Sequence, residues 1–179
     1  FSLERINKAG AKFDIQKAQW FNQQYIKTTP NEVLADRLMK ESGHSVSKET
    51  AAKIVSIMKE RVTFPQEIWE QAKFLFAAPT QFDDSVVSKK WNDEAIAVIT
   101  AFKNALAGEA SINAASAKSV LESAAASVSI GVGKIMQALR VAITGNGSGP
   151  DLMMTMEIIG KDEVIKRLDH AVNTLKVKA

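Results

Sequence analysis

Cysteine is missing from all 179 residues, which excludes a disulfide framework and any thiolate-held metal. Histidine occurs only twice, at His44 and His170, and two isolated imidazoles cannot build a zinc site alone. Long apolar runs are absent too: none approaches the roughly 20 residues that cross a bilayer, so no membrane partner is expected. Phe1 to Gly10 is charged and amphipathic, unlike a secretory signal, which makes a cytoplasmic location the default expectation. No stretch alternates apolar and polar residues as a half-buried strand does, so the fold is expected to be all-α. A strong charge of one sign is lacking as well. With 23 Lys and Arg against 20 Asp and Glu the net charge is +3, which permits a nucleic-acid partner without requiring one.

What is present is an ordinary globular composition, 46% hydrophobic and 24% charged. At this length roughly 70% of the unfolded surface can be buried, so a packed core is expected. The chain opens on Phe1 in mid-pattern and without an initiating Met, as a segment of a longer polypeptide would.

Helix signals then follow one another. Ser2 to Lys8 reads as the end of a helix closed by Gly10, and Asp14 caps the next, Ile15 to Ile26. In that helix Trp20 and Tyr25 recur at helical spacing and are expected in the core. Thr29-Pro30 starts a helix that runs to Ser42, and His44 falls in the following loop with no carboxylate or nucleophile set against it. Ser47 caps a helix with Ala51, Ile54, Val55 and Met58 inward, whose other face carries Lys48, Lys53, Lys59 and finally Arg61. Phe64-Pro65 opens the helix of Ile68, Ala72 and Leu75. Ala77 to Asp84 is the expected boundary between two helical subdomains, 1–82 and 83–179. Beyond it Val86–Trp91 is a short helix, Asn92 caps a long one ending at Gly108, and the Ala- and Ser-rich Asn113–Ser127 is a helix packed at close distance. The count expected is about 9 to 11 helices in a bundle or superhelix.

Two candidate signals fail. GVGK at Gly131–Lys134 resembles the end of a phosphate loop, but Val128 stands where the first Gly is required, Ile135 replaces the magnesium-binding Ser or Thr, and no strand precedes it. The acidic pairs Asp83-Asp84, Asp93-Glu94 and Asp162-Glu163 each sit at a helix start, where favourable interaction with the dipole explains them better than acid-base catalysis.

Lys134 to Leu168 carries the most functional information. Val132, Ile135, Leu139 and Ile143 form one buried stripe, while Lys134, Gln137 and Arg140 recur on another side. Arg140 is thereby placed near a helix end and turned from the core. Thr144 to Gly149 cannot continue the helix, and Pro150 suits a first helical position, so a helix is expected to start there with open N–H groups able to accept phosphate or base oxygens.

These residues also carry a resemblance. ALRVAITG (138–145) and GPDLMMTMEIIGKDEVIKRL (149–168) are similar to the C-terminal end of the bacterial glutamyl-tRNA synthetase family. FSLERINKAGAKFDIQKAQWFNQQYI (1–26) resembles the junction after that family's KMSKS signature loop, and KFLF (73–76) matches as well. Neither a HIGH nor a KMSKS string occurs, so the resemblance implies a non-catalytic, all-α anticodon-binding segment. The chemistry of a parent class I ligase, joining glutamate to its tRNA with ATP and magnesium, would lie upstream, and the segment itself would hold no cofactor. The implied partners are glutamate tRNA and the chain's own catalytic domain, in a monomer. The family's anticodon contacts map onto Arg140, Gly149, Pro150 and Leu152, and a second arginine onto Arg61, whose presence implies rejection of glutamine tRNA. Unpaired anticodon bases expose their Watson-Crick edges, and an arginine fork can donate to O2 and N3 of cytosine, the base that ends glutamate anticodons. Lys134, Lys53 and Lys59 are the candidate phosphate contacts. The alternative is a helical protein-interaction or scaffold module whose basic residues are only solvated.

Overall fold

The computed structural model describes residues 13–177, so the helix end expected at Ser2–Lys8 and its Gly10 cap lie outside the described residues. Among those residues the fold is all-α, with ten α-helices, one 3-10 turn and no strand. The helices are α1 (Ile15–Thr28), α2 (Asn31–Ser42), α3 (Lys48–Met58), α4 (Glu67–Phe76), α5 (Asp84–Lys90), α6 (Asp93–Ala107), α7 (Ala114–Ser127), α8 (Val132–Thr144), α9 (Leu152–Ile159) and α10 (Lys161–Thr174); the 3-10 turn, Lys59–Arg61, closes α3.

Side-chain caps set most of the starts. Asp14, Ser47, Asn92, Asn113 and Asp151 each accept the backbone N–H three residues on, and Asp83 accepts that of Ser85. Each such cap contributes about 1 kcal/mol by satisfying a donor the helix itself leaves open.

Two buried clusters form. The first joins α2, α3 and α4 through Leu34, Leu38, Ile54, Val55, Met58, Ile68 and Leu75. The second joins α5 to α10 through Trp91, Ile99, Phe102, Leu121, Leu139, Ile143 and Leu168. In α7 the buried positions Ala117, Ala124 and Ala125 are small, which lets it lie close between α6 and α9. Helix α9 belongs to both clusters: Leu152 and Met156 enter the second, while Met154 and Ile158 pack against the first. Arg167 of α10 is buried at the junction.

Two expectations are corrected here. Trp20 and Tyr25 are not core residues; they are 55% and 72% exposed, and Ile26 is the only buried residue of α1. This helix meets the 3-10 turn, so its remaining aromatic positions find no partner face among the described residues. The last helix pair also begins differently. α9 starts at Leu152 rather than Pro150, because the Asp151 carboxylate accepts the Met154 N–H at 2.8 Å and fixes the cap one residue beyond the proline.

Candidate nucleic-acid interface

The end of α8 is locked by its own residues. Thr144 Oγ1 donates to the Arg140 carbonyl at 2.9 Å and accepts the Asn146 N–H at 3.2 Å. Gly145 then turns the chain at φ 78, and its carbonyl accepts the Asp83 N–H at 2.8 Å. The Asp83 carboxyl is held below the usual carboxylate range, chiefly by the Ser85 hydroxyl, with the N–H groups of Ser85, Val86 and Gly147 adding to this and desolvation opposing it. The glycine loop is therefore fastened to residues 79–86, which overlap the Ala77–Asp84 stretch that the sequence marks as a boundary.

Arg140 is half-buried against this loop and donates through Nη1 to the Pro150 carbonyl at 2.7 Å. A Cβ on Gly149 would lie 2.9 Å from that nitrogen, so glycine is what admits the guanidinium. Burial pushes the Arg140 pKa down, and the positive charge of Arg61 pushes it the same way, while Asp151 opposes both. Two arginines far apart in sequence thus come within electrostatic reach of each other.

Between Arg61 and the Gly149–Pro150 turn that Arg140 bonds opens a cleft of about 400 Å³. One wall is Met58, Arg61, Glu70, Gln71, Lys73 and Phe74; the other is Asn146, Ser148, Gly149 and Pro150. Two cations, Arg61 and Lys73, the Glu70 carboxylate paired with Lys73, side-chain amides and the Phe74 ring line it, a mixture that suits a splayed-out base with its phosphate. The open helix mouth expected at Pro150 is absent. The Asp151 carboxylate already caps α9 from the position before it, so an anion is disfavoured there and recognition falls to the arginines and the loop main chain.

The other sequence-predicted residues are placed differently. Leu152 is 2% exposed in the second core, so any contact it makes to RNA is through its main chain. Lys59 is half-buried in the 3-10 turn that also carries Arg61. Lys53 does not line the cleft: it pairs with Glu157 of α9 at 2.8 Å, and that bond, before their electrostatic attraction, raises its pKa. Lys134 lies in the first turn of α8, two turns before Arg140, and reaches Glu94 at 3.7 Å. Sequence reasoning missed Glu70, Gln71, Lys73, Asn146 and Ser148. The three on α4 fall outside its buried stripe Ile68, Ala72 and Leu75, which marks them as outward without saying what they face.

A family model described as an anticodon binding domain matches residues 17–172. The chain belongs to this anticodon-binding family. It is 48% identical to a glutamate-tRNA ligase of Cytophaga hutchinsonii over 182 aligned positions, covering 99% of this chain and 35% of the ligase. A glutamate-tRNA ligase of Amoebophilus asiaticus is 40% identical, with 98% of this chain and 35% of that one covered. The crystal structure of a glutamate tRNA ligase from Elizabethkingia meningosepticum in complex with its amino acid superposes with a TM-score of 0.88 at 37% identity, covering 98% of this chain and 36% of that one. The anticodon-binding chain thus spans about a third of the length of these relatives.

Proposed function

We propose that the chain is the anticodon-reading part of a glutamate-tRNA ligase, and that the cleft lined by Arg61 and by the Gly149–Pro150 turn bonded to Arg140 receives bases of the glutamate tRNA anticodon. The observation that carries this reading is a cleft lined by Arg61 on one wall and by Gly149 and Pro150 on the other, with Arg140 bonded to Pro150 and within electrostatic reach of Arg61, in a member of an anticodon-binding family. Both guanidinium groups offer forked donors, which suits base carbonyl and ring-nitrogen acceptors better than a lysine would. Arg61 is read as the residue that favours glutamate tRNA over glutamine tRNA. Lys59, beside it, is read as a phosphate contact.

Residues 1–82 and 83–179 are two subdomains in this reading, with α9 shared between their cores. Transfer of glutamate, with ATP and magnesium, belongs to the part of such a ligase that this chain does not cover. Its own GVGK string does not fit a nucleotide cradle, because Gly131 caps α8 after another helix rather than after a strand. No helix of the described residues is long and apolar enough to cross a membrane.

Electrophoretic mobility shift with glutamate tRNA against an unrelated tRNA tests the proposal. A preferential shift with glutamate tRNA is expected; equal or absent binding to both would leave the scaffold reading instead.

A further inference from the structure

The two walls of the cleft come from different cores, and one buried side chain holds them together. Arg167 of α10 is 2% exposed, and its Nη1 donates to the Phe74 carbonyl at 2.7 Å and to the Ile143 carbonyl at 3.1 Å. Its Nε donates to Glu163 Oε1 at 3.0 Å, one turn earlier on the same helix. Phe74 lies in the last turn of α4 and itself lines the cleft; Ile143 lies in the last turn of α8, immediately before the loop that forms the opposite wall. Both accepting carbonyls belong to helix ends that lack an internal partner and carry the negative end of the dipole.

We propose that Arg167 is a positioning residue that fixes the separation of the cleft walls, and with it the selectivity for anticodon bases. The selectivity half rests on the anticodon reading given above. Stability alone gives weak reason for a buried charge here, since well-packed apolar residues of similar volume commonly serve a core as well. What an apolar residue cannot do is bond two helix ends through one nitrogen. Lysine keeps the charge, but its point-like ammonium has no planar fork to hold Glu163 and both carbonyls at once. Arg167→Lys is therefore the informative variant, and Arg167→Met the more disruptive one.

The absence of cysteine makes the geometry directly measurable. Spin labels at Gln71→Cys and Ser148→Cys, one on each wall, report the wall separation with no tRNA present. In Arg167→Lys the distance distribution is expected to lengthen or broaden, and the binding ratio between matched and substituted anticodons to fall about threefold or more. Thermal unfolding should show the variant still folded, and the salt slope of binding should stay unchanged because no phosphate contact is lost. An unchanged label distance overturns the proposal, as does a loss of affinity that is equal for both tRNAs with the ratio intact. If the parent chain shows no anticodon preference, the anticodon reading fails and the selectivity half fails with it, while the label distance still decides whether Arg167 sets the walls.

Discussion

At the residue scale, arginines and lysines of the same face are expected to separate by what their loss changes. A forked arginine on a base edge discriminates by about 1 to 3 kcal/mol, whereas a lysine on a phosphate weakens all sequences alike. Arg140→Ala should therefore erase most of the preference for the matched third anticodon base, and Arg61→Gln the preference at the first, in filter binding with base-substituted tRNAs. Lys134→Ala should leave both ratios intact; a ratio shift as large as that of Arg140→Ala would move base readout elsewhere. Leu152→Ala belongs to another class. Its side chain is buried in the second core, so a loss of about 2 to 5 kcal/mol in chemical denaturation is expected, from lost burial and the cavity left behind.

At the scale of the element, the α8–loop–α9 unit sets two glycines of the breaker run, Gly147 and Gly149, in different surroundings. A Cβ at Gly147 would clash with Val86 Cγ2 and lie 3.0 Å from Asp83 Oδ2, so Gly147→Ala should destabilise by about 1 to 3 kcal/mol through overpacking. At Gly149 the near neighbour is the end of the long Arg140 side chain, which can shift off Pro150 where backbone cannot, so Gly149→Ala should barely move the melting temperature while reducing anticodon preference. The periodicity of Ile135, Leu139 and Ile143 made α8 legible, and side-chain caps at Asp14, Ser47 and Asn92 did the same for other starts. Arg140, Gly149 and Pro150 were found through the family resemblance together with the breaker run that follows α8. Gln71, Lys73 and the clamp from residues 79–86 were not legible, because contacts between distant segments leave no local period. Trp20 was misread for a related reason: helical spacing identifies a face but not whether anything covers it.

On the scale of the whole molecule, Glu157 of α9 ties the two cores from outside, as Arg167 does from within. It accepts from Lys53 of α3 at 2.8 Å and from the Ala114 N–H of α7 at 2.8 Å. The Lys53 bond first, and the Ala114 bond next, lower the Glu157 pKa despite partial burial. A carboxyl depressed on folding adds stability that is complete above its unfolded value, about 4.3, and is lost as pH falls through the lower folded one. Lys53, raised on folding, adds stability present below its unfolded value, about 10.4, and lost as pH rises through the folded one. Chemical denaturation of Glu157→Gln should therefore show a deficit relative to the parent between those limits and convergence below pH 4; a constant deficit down to pH 2 would remove the ionised form from the account. Binding of tRNA should weaken with salt, each phosphate contact adding about −0.7 to the log-log slope on single-stranded RNA.

Helix α9 places Met154 and Ile158 in one core and Leu152 and Met156 in the other, while the connection between α4 and α5 exposes Ala77, Ala78, Thr80 and Gln81. A protease should consequently cut that connection without parting the pieces. The nicked protein would run as two bands in denaturing gels and as one particle in gel filtration, held by a helix that neither piece can leave without exposing methionine and isoleucine to water.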